Sequence, residues 1–352
     1  MMRYRLSRTG DRDRPRSVRG RRVRVRSAVL AVSVVSVLTA CGSSTGTGSS
    51  GQSGPTPGTP LSMTVGGFDI PATAALWFAQ EKGYFTNAKL DVTIKLLTPP
   101  QFVPAVTSNQ VNVSFGSLSA VVLASGQGLP VRMLFQNVAT TPDNCPLVLQ
   151  VLPNSPIRTL SDLKGKTIAI DSQNSAEELM LNPILNANGV KVTDVKYLPV
   201  GAVGMPGVAA VQKGTADAMV QTEPFSTSLV ASGQARLVTN LCVPPAPNPL
   251  SNGGYFTSAS YASGHTAELT ALEQGYLDAT RYINAHPDEY NAWLAARYKL
   301  PVAQVAAQHL GRPEMTQDDN SYRYLRDAMS QVGLPVANVD IETLRVKLLV
   351  AG

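Results

Sequence analysis

From residue 61 onward the hydrophobic pattern switches repeatedly between a period of two and a period near 3.6. Residues 62–66 (SMTVG) and 90–97 (LDVTIKLL) read as strands. Between them, residues 72–82 place Ala72, Ala75, Leu76 and Ala79 on one helical face, with Pro71 at the first turn and Gly83 as the stop. A helix at 101–108, a strand at 111–115 (VNVSF), a helix at 118–125 and a strand at 131–137 (VRMLFQN) follow. A second run holds strands at 147–151, 167–170, 192–200 and 217–221, with helices at 160–166, 175–188 and 206–212. Such βα alternation predicts α/β units with mostly parallel sheets and helices on both faces. From residue 267 the pattern is helical, at 269–285, 287–298, 302–309 and 321–332, which predicts a helical C-terminal cap. No internal repeat is visible.

The first sixty residues follow other rules. Residues 3–26 are Arg-rich and residues 28–40 (AVLAVSVVSVLTA) are apolar. That run is shorter than the about 20 residues a spanning helix needs, so residues 1–40 read as a secretory signal rather than an anchor. Leu38-Thr39-Ala40-Cys41 resembles the lipobox of bacterial lipoproteins, which implies a lipidated Cys41 as the first mature residue. Ordinary secretion with a free Cys41 is the alternative. Arg21-Arg22 raises a twin-arginine route, but VRVRS after it does not fit that motif. Residues 42–60, almost wholly Gly, Ser, Thr and Pro, make residues 41–60 a lipidated start followed by a flexible tether.

The charge changes meaning once this segment is set apart. The chain has 352 residues, a formal net charge of +6, 43% hydrophobic and 15% charged residues. Eleven of the 30 Lys and Arg lie in residues 1–40, so the rest is mildly acidic and has no electrostatic footprint for nucleic acid. After Cys41 only Cys145 and Cys242 remain, both in Pro-rich turn contexts. In an oxidising compartment an isolated pair favours a disulfide; two buried free thiols are the alternative. These Cys and the three His (His265, His286, His309) show no ligand spacing, so no metal and no cofactor are expected.

Three fragments carry a family resemblance. Pro71…Ala79…Gly83-Tyr84-Phe85, followed by Leu90-Asp91-Val92, resembles the opening of solute-binding proteins of the nitrate, alkanesulfonate, taurine and thiamine-precursor group, the SsuA/TauA-like family. Leu160…Leu163-Lys164-Gly165-Lys166-Thr167-Ile168-Ala169-Ile170 is similar to that family's DLKGK turn and strand. Gly214-x-x-Asp217-Ala218 with Glu223-Pro224-Phe225 is similar to its G-x-x-DA…EPF segment. The resemblance covers about residues 62–300. It implies a two-lobed periplasmic-binding-protein fold of the second type, with a hinge and a ligand cleft between lobes. The lobes are expected at 61–138 plus 262–352 and at 139–261. One departure stands out. Where many relatives have L-x-x-G-x-x-D, this chain has Asn109 for the Gly and Asn112 for the Asp. Asn tolerates the left-handed conformation, so the turn is expected to survive.

In open α/β sheets ligands bind beyond the C-terminal ends of strands, near helix N-termini. The candidate ligand residues are therefore Phe68, Asp69 and Ile70; Thr98 and Gln101; Ser117 and Leu118; Ser172, Asn174 and Ser175; and Gly201 in the loop that continues to Gly204. Gln136, Asn137 and Glu223 are candidates at the hinge side. Ser117 and Ser175 read equally as helix caps, Asp69 as a cap of the helix opened by Pro71, Phe68 as core, and Glu223 as a structural hydrogen-bond partner. Trp77 reads as packing. The candidate loops hold no Arg or Lys, which disfavours a small dianion, while Asp69 and Glu223 suit a ligand with donor groups such as an aminopyrimidine or another amine.

Together these features point to a non-enzymatic, membrane-tethered, extracytoplasmic protein, monomeric, that captures a small organic solute and delivers it to an ABC permease and ATPase. A sensor or adhesion protein on the same fold is the second reading. An enzyme of the pyrimidine-precursor type is the third; no suitable nucleophile supports it, and His286 reads as a helix cap.

Overall fold

The computed structural model describes residues 61–202 and 204–347. The expected signal segment 1–40, lipidated Cys41 and tether to residue 60 lie outside the described residues, as does Val203 in the 201–204 loop. Eleven strands form two sheets: β1 (Leu61–Gly67), β2 (Leu90–Leu96), β3 (Val113–Ser117), β4 (Val131–Ala139), β5 (Leu147–Val151), β6 (Thr167–Ile170), β7 (Lys196–Pro199), β8 (Ala218–Thr222), β9 (Arg236–Asn240), β10 (Gly253–Ser258) and β11 (Arg312–Thr316). The first sheet runs β11-β4-β10-β3-β1-β2 and the second β7-β6-β8-β5-β9. Each sheet is the base of one lobe of a periplasmic-binding-protein fold.

The two sheets share one plan. In the first, β1 pairs in parallel with β2 (Leu61 opposite Leu90) and β3, and β10 runs antiparallel between β3 and β4. In the second, β6 pairs in parallel with β7 and β8, and β5 runs antiparallel between β8 and β9. The match extends to single residues. After the helix Phe102–Thr107, Asn109 takes a left-handed φ of 58°, and Asn112 Oδ1 accepts the Thr64 N–H of β1 at 2.7 Å. After the helix Met205–Gln212, Gly214 takes φ 73°, and Asp217 Oδ2 accepts the Thr167 N–H of β6 at 2.9 Å. The two Asn substitutions therefore keep both the turn and the strand anchor, because Asn enters the left-handed region and its side-chain oxygen accepts as a carboxylate does.

Three strands, β9, β10 and β11, all paired antiparallel, were not expected from the sequence pattern. All six residues of β10 are buried, and the Tyr255 ring meets those of Phe135, Tyr276 and Phe115 in tilted and edge-on contacts at centroid distances of 5.3–6.1 Å. Because β10 pairs with β3 and β4, the chain has returned to the first lobe by Gly253, so the expected boundary at 261 moves back. The C-terminal region also departs from the expected assignment to one lobe. Its helix Asp319–Gln331 packs on Leu118–Gly126 of the first lobe and on Ala176–Ala187 of the second, where Tyr324 Oη donates to the Met180 carbonyl at 3.1 Å.

The chain crosses between lobes at 140–146 and 241–252. These crossings pair with each other: Thr140 and Leu250 exchange two backbone hydrogen bonds of 2.8 Å. The structure also joins Cys145 to Cys242, with the Cα atoms 5.9 Å apart, so one cysteine of the pair lies on each crossing. A third connection comes from the segment after helix Val302–Ala306. Gln304 Nε2 donates to Ser228 Oγ at 3.2 Å, Thr227 Oγ1 donates to the Ala307 carbonyl at 3.4 Å, and the His309 N–H donates to Glu223 at 3.1 Å. Among the described residues no helix is long and apolar enough to cross a membrane.

Candidate functional site

The C-terminal ends of β1, β3 and β4 face those of β6 and β8 across a cavity of about 330 Å³. Five of the residues expected at the site line it: Phe68, Ile70, Ser117, Asn137 and Glu223. Phe68 leaves β1 and packs against Phe115 and Phe102 at centroid distances of 6.1 and 5.7 Å, so it is both wall and core. Ser117 caps the helix Leu118–Gly126 by accepting the Ala120 N–H at 3.2 Å and also borders the cavity. Glu223 is only 7% exposed; its carboxylate accepts Thr227 Oγ1 at 2.6 Å, the Thr227 N–H at 3.3 Å and the His309 N–H. It links the cavity wall to the segment that reaches over from the first lobe.

Asn137 differs from all of these. It is 1% exposed on β4, it lines the cavity, and neither its Oδ1 nor its Nδ2 has a hydrogen-bond partner among the described residues. Buried amides are normally satisfied, and an unpaired one costs about 1–3 kcal/mol. Its neighbour Gln136, 0% exposed, points the other way along the pleat and is fully used. Gln136 Nε2 donates to the Asp318 carbonyl at 2.9 Å, and Oε1 accepts Thr316 Oγ1 at 2.9 Å and the Asp318 N–H at 2.6 Å. Gln136 is thus a structural clamp on the C-terminal segment, not a cavity residue.

The remaining candidates also sit away from the cavity. Asp69 turns outward: Oδ2 takes the Arg297 guanidinium at 2.9 Å and Oδ1 accepts the Tyr298 hydroxyl at 2.7 Å. Arg297 also meets Glu81 at 2.6 Å and lies over the Trp77 ring at 5.1 Å, so Asp69 and Trp77 serve one surface cluster. Thr98 and Gln101 hydrogen-bond each other in a capping box at the turn entering the helix Phe102–Thr107. Leu118 is core. Ser172 bonds Asp171, Asn174 donates its N–H to Glu178, and Ser175 caps the helix Ala176–Ala187. Gly201, at φ 86°, closes the turn after β7 by donating its N–H to the Asp171 carbonyl at 2.9 Å.

Sequence reasoning missed Asp171, Glu177, Phe115, Phe225, Asn252 and Leu310, which line the cavity too. Glu177 carries a signal in hindsight: it stands two positions after the cap Ser175, in the first helical turn. There it is 4% exposed, and its Oε2 accepts the Asp171 N–H at 2.8 Å. Burial, and then the neighbouring Asp171 charge, pushes its carboxyl up to about 8. No Lys, Arg or His is among the lining residues, and among the described residues no group of His, Cys, Asp and Glu could hold a metal ion.

The family model described as "NMT1/THI5 like" matches residues 70–290. The chain belongs to the NMT1/THI5-like family. Within it, the chain is consistent with the SsuA/TauA-like solute-binding proteins. It is 25% identical over 219 residues to an Escherichia coli protein named as aliphatic sulfonates-binding, spanning 62% of this chain and 65% of that relative. It is 27% identical over 292 residues to a Haemophilus influenzae protein named for thiamine biosynthesis, spanning 78% and 87%. The alkanesulfonate-binding protein SsuA of Xanthomonas axonopodis pv. citri, solved with MOPS bound, superposes with a TM-score of 0.67 at 20% identity, covering 82% of this chain and 98% of that one. This last likeness speaks to the fold, which is the periplasmic-binding-protein fold of this NMT1/THI5-like chain.

Proposed function

We propose that this NMT1/THI5-like chain is an extracytoplasmic solute-binding lipoprotein that holds a small organic solute between its lobes and delivers it to an ABC permease and its ATPase. The observation that carries the reading is Asn137, a buried amide with free donor and acceptor atoms in the wall of the inter-lobe cavity. A buried amide that the protein leaves unpaired calls for a partner from outside the chain, such as water, an ion or a ligand. The two crossings form a hinge, and both lobes contribute to the cavity, so a solute bound there bridges them and favours the closed form. The Glu223–His309 link lets the C-terminal segment follow that closure. In this reading the chain acts by binding rather than by catalysis.

Delivery to a membrane partner explains the remaining features of the sequence. A lipidated Cys41, followed by the Gly-, Ser-, Thr- and Pro-rich segment to residue 60, holds a monomeric domain at the extracytoplasmic face of the membrane. The Cys145–Cys242 bond suits that oxidising side of the membrane. The test is a thermal-shift screen of the full chain against small solutes. A ligand at about a hundredfold excess over its Kd stabilises the native state by about 2.7 kcal/mol. Stabilisation that is lost in Asn137→Leu supports capture in the cavity; a broad library without a single hit contradicts it. For the anchor, Cys41→Ser is expected to release the protein from the membrane fraction, and its continued retention contradicts lipidation.

A further inference from the structure

We propose that the inter-lobe cavity takes an organic cation, a protonated amine or amidinium on an apolar body, and rejects sulfonates; this rests on the reading of the chain as a solute-binding protein. Three carboxyl groups, Asp171, Glu177 and Glu223, line the cavity, and no cationic side chain does. Buried charges are ordinarily paired, and here the pairing charge is missing from the protein itself. The nearby guanidinium of Arg297 is already engaged outside the cavity by Asp69 and Glu81.

The helix termini do not rescue an anion. The helix Ala176–Ala187 brings its first turn to the cavity through Ala176 and Glu177, where its partial positive charge would favour an anionic ligand. That turn carries its own acids. Glu177 accepts the Asp171 N–H at 2.8 Å, and Glu178 accepts the Asn174 N–H at 2.7 Å. The N–H groups before this helix that an anion would use are therefore already taken. A sulfonate placed here would meet Asp171 and Glu223 with no cation to offset them.

A cation meets the opposite conditions. Its N–H groups find acceptors in Asp171 and Glu177, and hydrogen bonds between charged groups are the strong ones. The raised Glu177 carboxyl, which burial and then the Asp171 charge keep protonated at neutral pH, can release its proton when a cation arrives. Asn137, buried and unpartnered in the same wall, is an independent sign of a polar ligand, and its Oδ1 is a further N–H acceptor. Phe68, Phe115 and Phe225 supply apolar and aromatic surface for the body of the molecule and π faces that attract a cation. The SsuA-like relatives bear the names of anion binders, so the cavity chemistry, not the fold, separates this chain from them.

The test uses ligands that differ only in the head group. Binding of 2-phenylethylamine, 2-phenylethanol and 2-phenylethanesulfonate, and of hexylamine, hexanol and hexanesulfonate, is measured on the full chain by calorimetry. The amines are expected to bind about tenfold or more tighter than the matched alcohols, the equivalent of one charge-assisted hydrogen bond, and the sulfonates not at all. Asp171→Asn with Glu177→Gln is expected to remove about that tenfold advantage of each amine over its matched alcohol. A melting curve like that of the unsubstituted chain keeps the variant interpretable, and Asp171→Asn alone replaces it if the pair fails to fold. A sulfonate that binds tighter than its amine overturns the cation assignment and leaves solute capture standing. Amine affinity that does not change in the variants overturns the assignment to this cavity. No binding by either amine also overturns the cation class; only failure of every neutral and anionic solute as well removes the capture reading with it.

Discussion

Asn137 and Gln136 are adjacent on β4, both buried, and are expected to respond to the same substitution with opposite signs. Gln136→Leu strands three partners, Thr316 Oγ1 and the N–H and carbonyl of Asp318, in a closed interior. Each buried group left unpaired costs about 1–3 kcal/mol, so a loss of about 3 kcal/mol or more is expected. Asn137→Leu removes only a loose contact with the buried Tyr276 hydroxyl, which keeps the Asn137 carbonyl at 3.5 Å, because neither amide atom is within close hydrogen-bond reach of a partner among the described residues. It replaces two unpaired polar atoms with an apolar group of similar shape, which is neutral or stabilising, by about 1–2 kcal/mol. For about 290 folded residues the melting entropy is about 0.6 kcal/mol/K, so Tm is expected to fall by about 5 °C in the first variant and rise by about 2–3 °C in the second. Calorimetric melting of the ligand-free protein reads both. Ligand affinity moves the other way in Asn137→Leu, since the same amide is the free anchor for the solute. A ligand-free Asn137→Leu protein destabilised by more than about 1 kcal/mol would refute the reasoning, because its amide would then be satisfied without a ligand.

Three further outcomes follow from the same structure. Glu177 holds its proton in the native state up to about pH 8, against 4.5 in the unfolded chain, so the native state binds the extra proton between those values and stability falls as pH rises through that window. Glu177→Gln is expected to flatten this slope, by no more than roughly 5 kcal/mol across the range, and an unchanged slope in urea titrations at pH 5 and pH 9 contradicts the assignment. Reducing Cys145–Cys242, separated by 97 residues, frees a loop whose closure is worth roughly 4.7 kcal/mol in the chain-entropy account; Tm is expected to drop by about 8 °C. A melting curve indifferent to reductant, with free thiols measured, contradicts that role. Asp69→Asn breaks the partly exposed Arg297 pair and is expected to cost about 1 kcal/mol while leaving ligand affinity unchanged; a large loss of affinity would return Asp69 to the cavity.

The parallel part of the fold was legible because it is local. Each βα step announces itself by a change of hydrophobic period within a few residues, as in β1 and the helix after it. Of the strands that pair antiparallel, β4 and β5 were legible as strands, but β9, β10 and β11 were not. β10 opens with Gly253-Gly254 after a Pro-rich crossing, and β11 (RPEMT) is a short edge strand carrying Pro and charge, so neither shows a strand period. Only long-range pairing makes them strands. The site behaved likewise. Listing the strand-to-helix loops found Phe68, Ile70, Ser117 and, at the hinge side, Asn137 and Glu223. Which loops converge is set by the relative placement of two sheets, and that left Asp69 and Thr98 outside and brought Asp171 and Asn252 in. The expectation of a donor-bearing ligand rested on Asp69 and Glu223; the structure moves its basis to Asp171 and Glu177.

The most direct test of the account is a crystal structure of the protein with the tightest-binding solute from the thermal-shift screen. The account predicts the solute between the lobes, against Phe68 and Phe225, with the Asn137 amide hydrogen-bonded to it. A solute bound on the outer face of one lobe, with the cavity empty and Asn137 still unpaired, would contradict capture between the lobes.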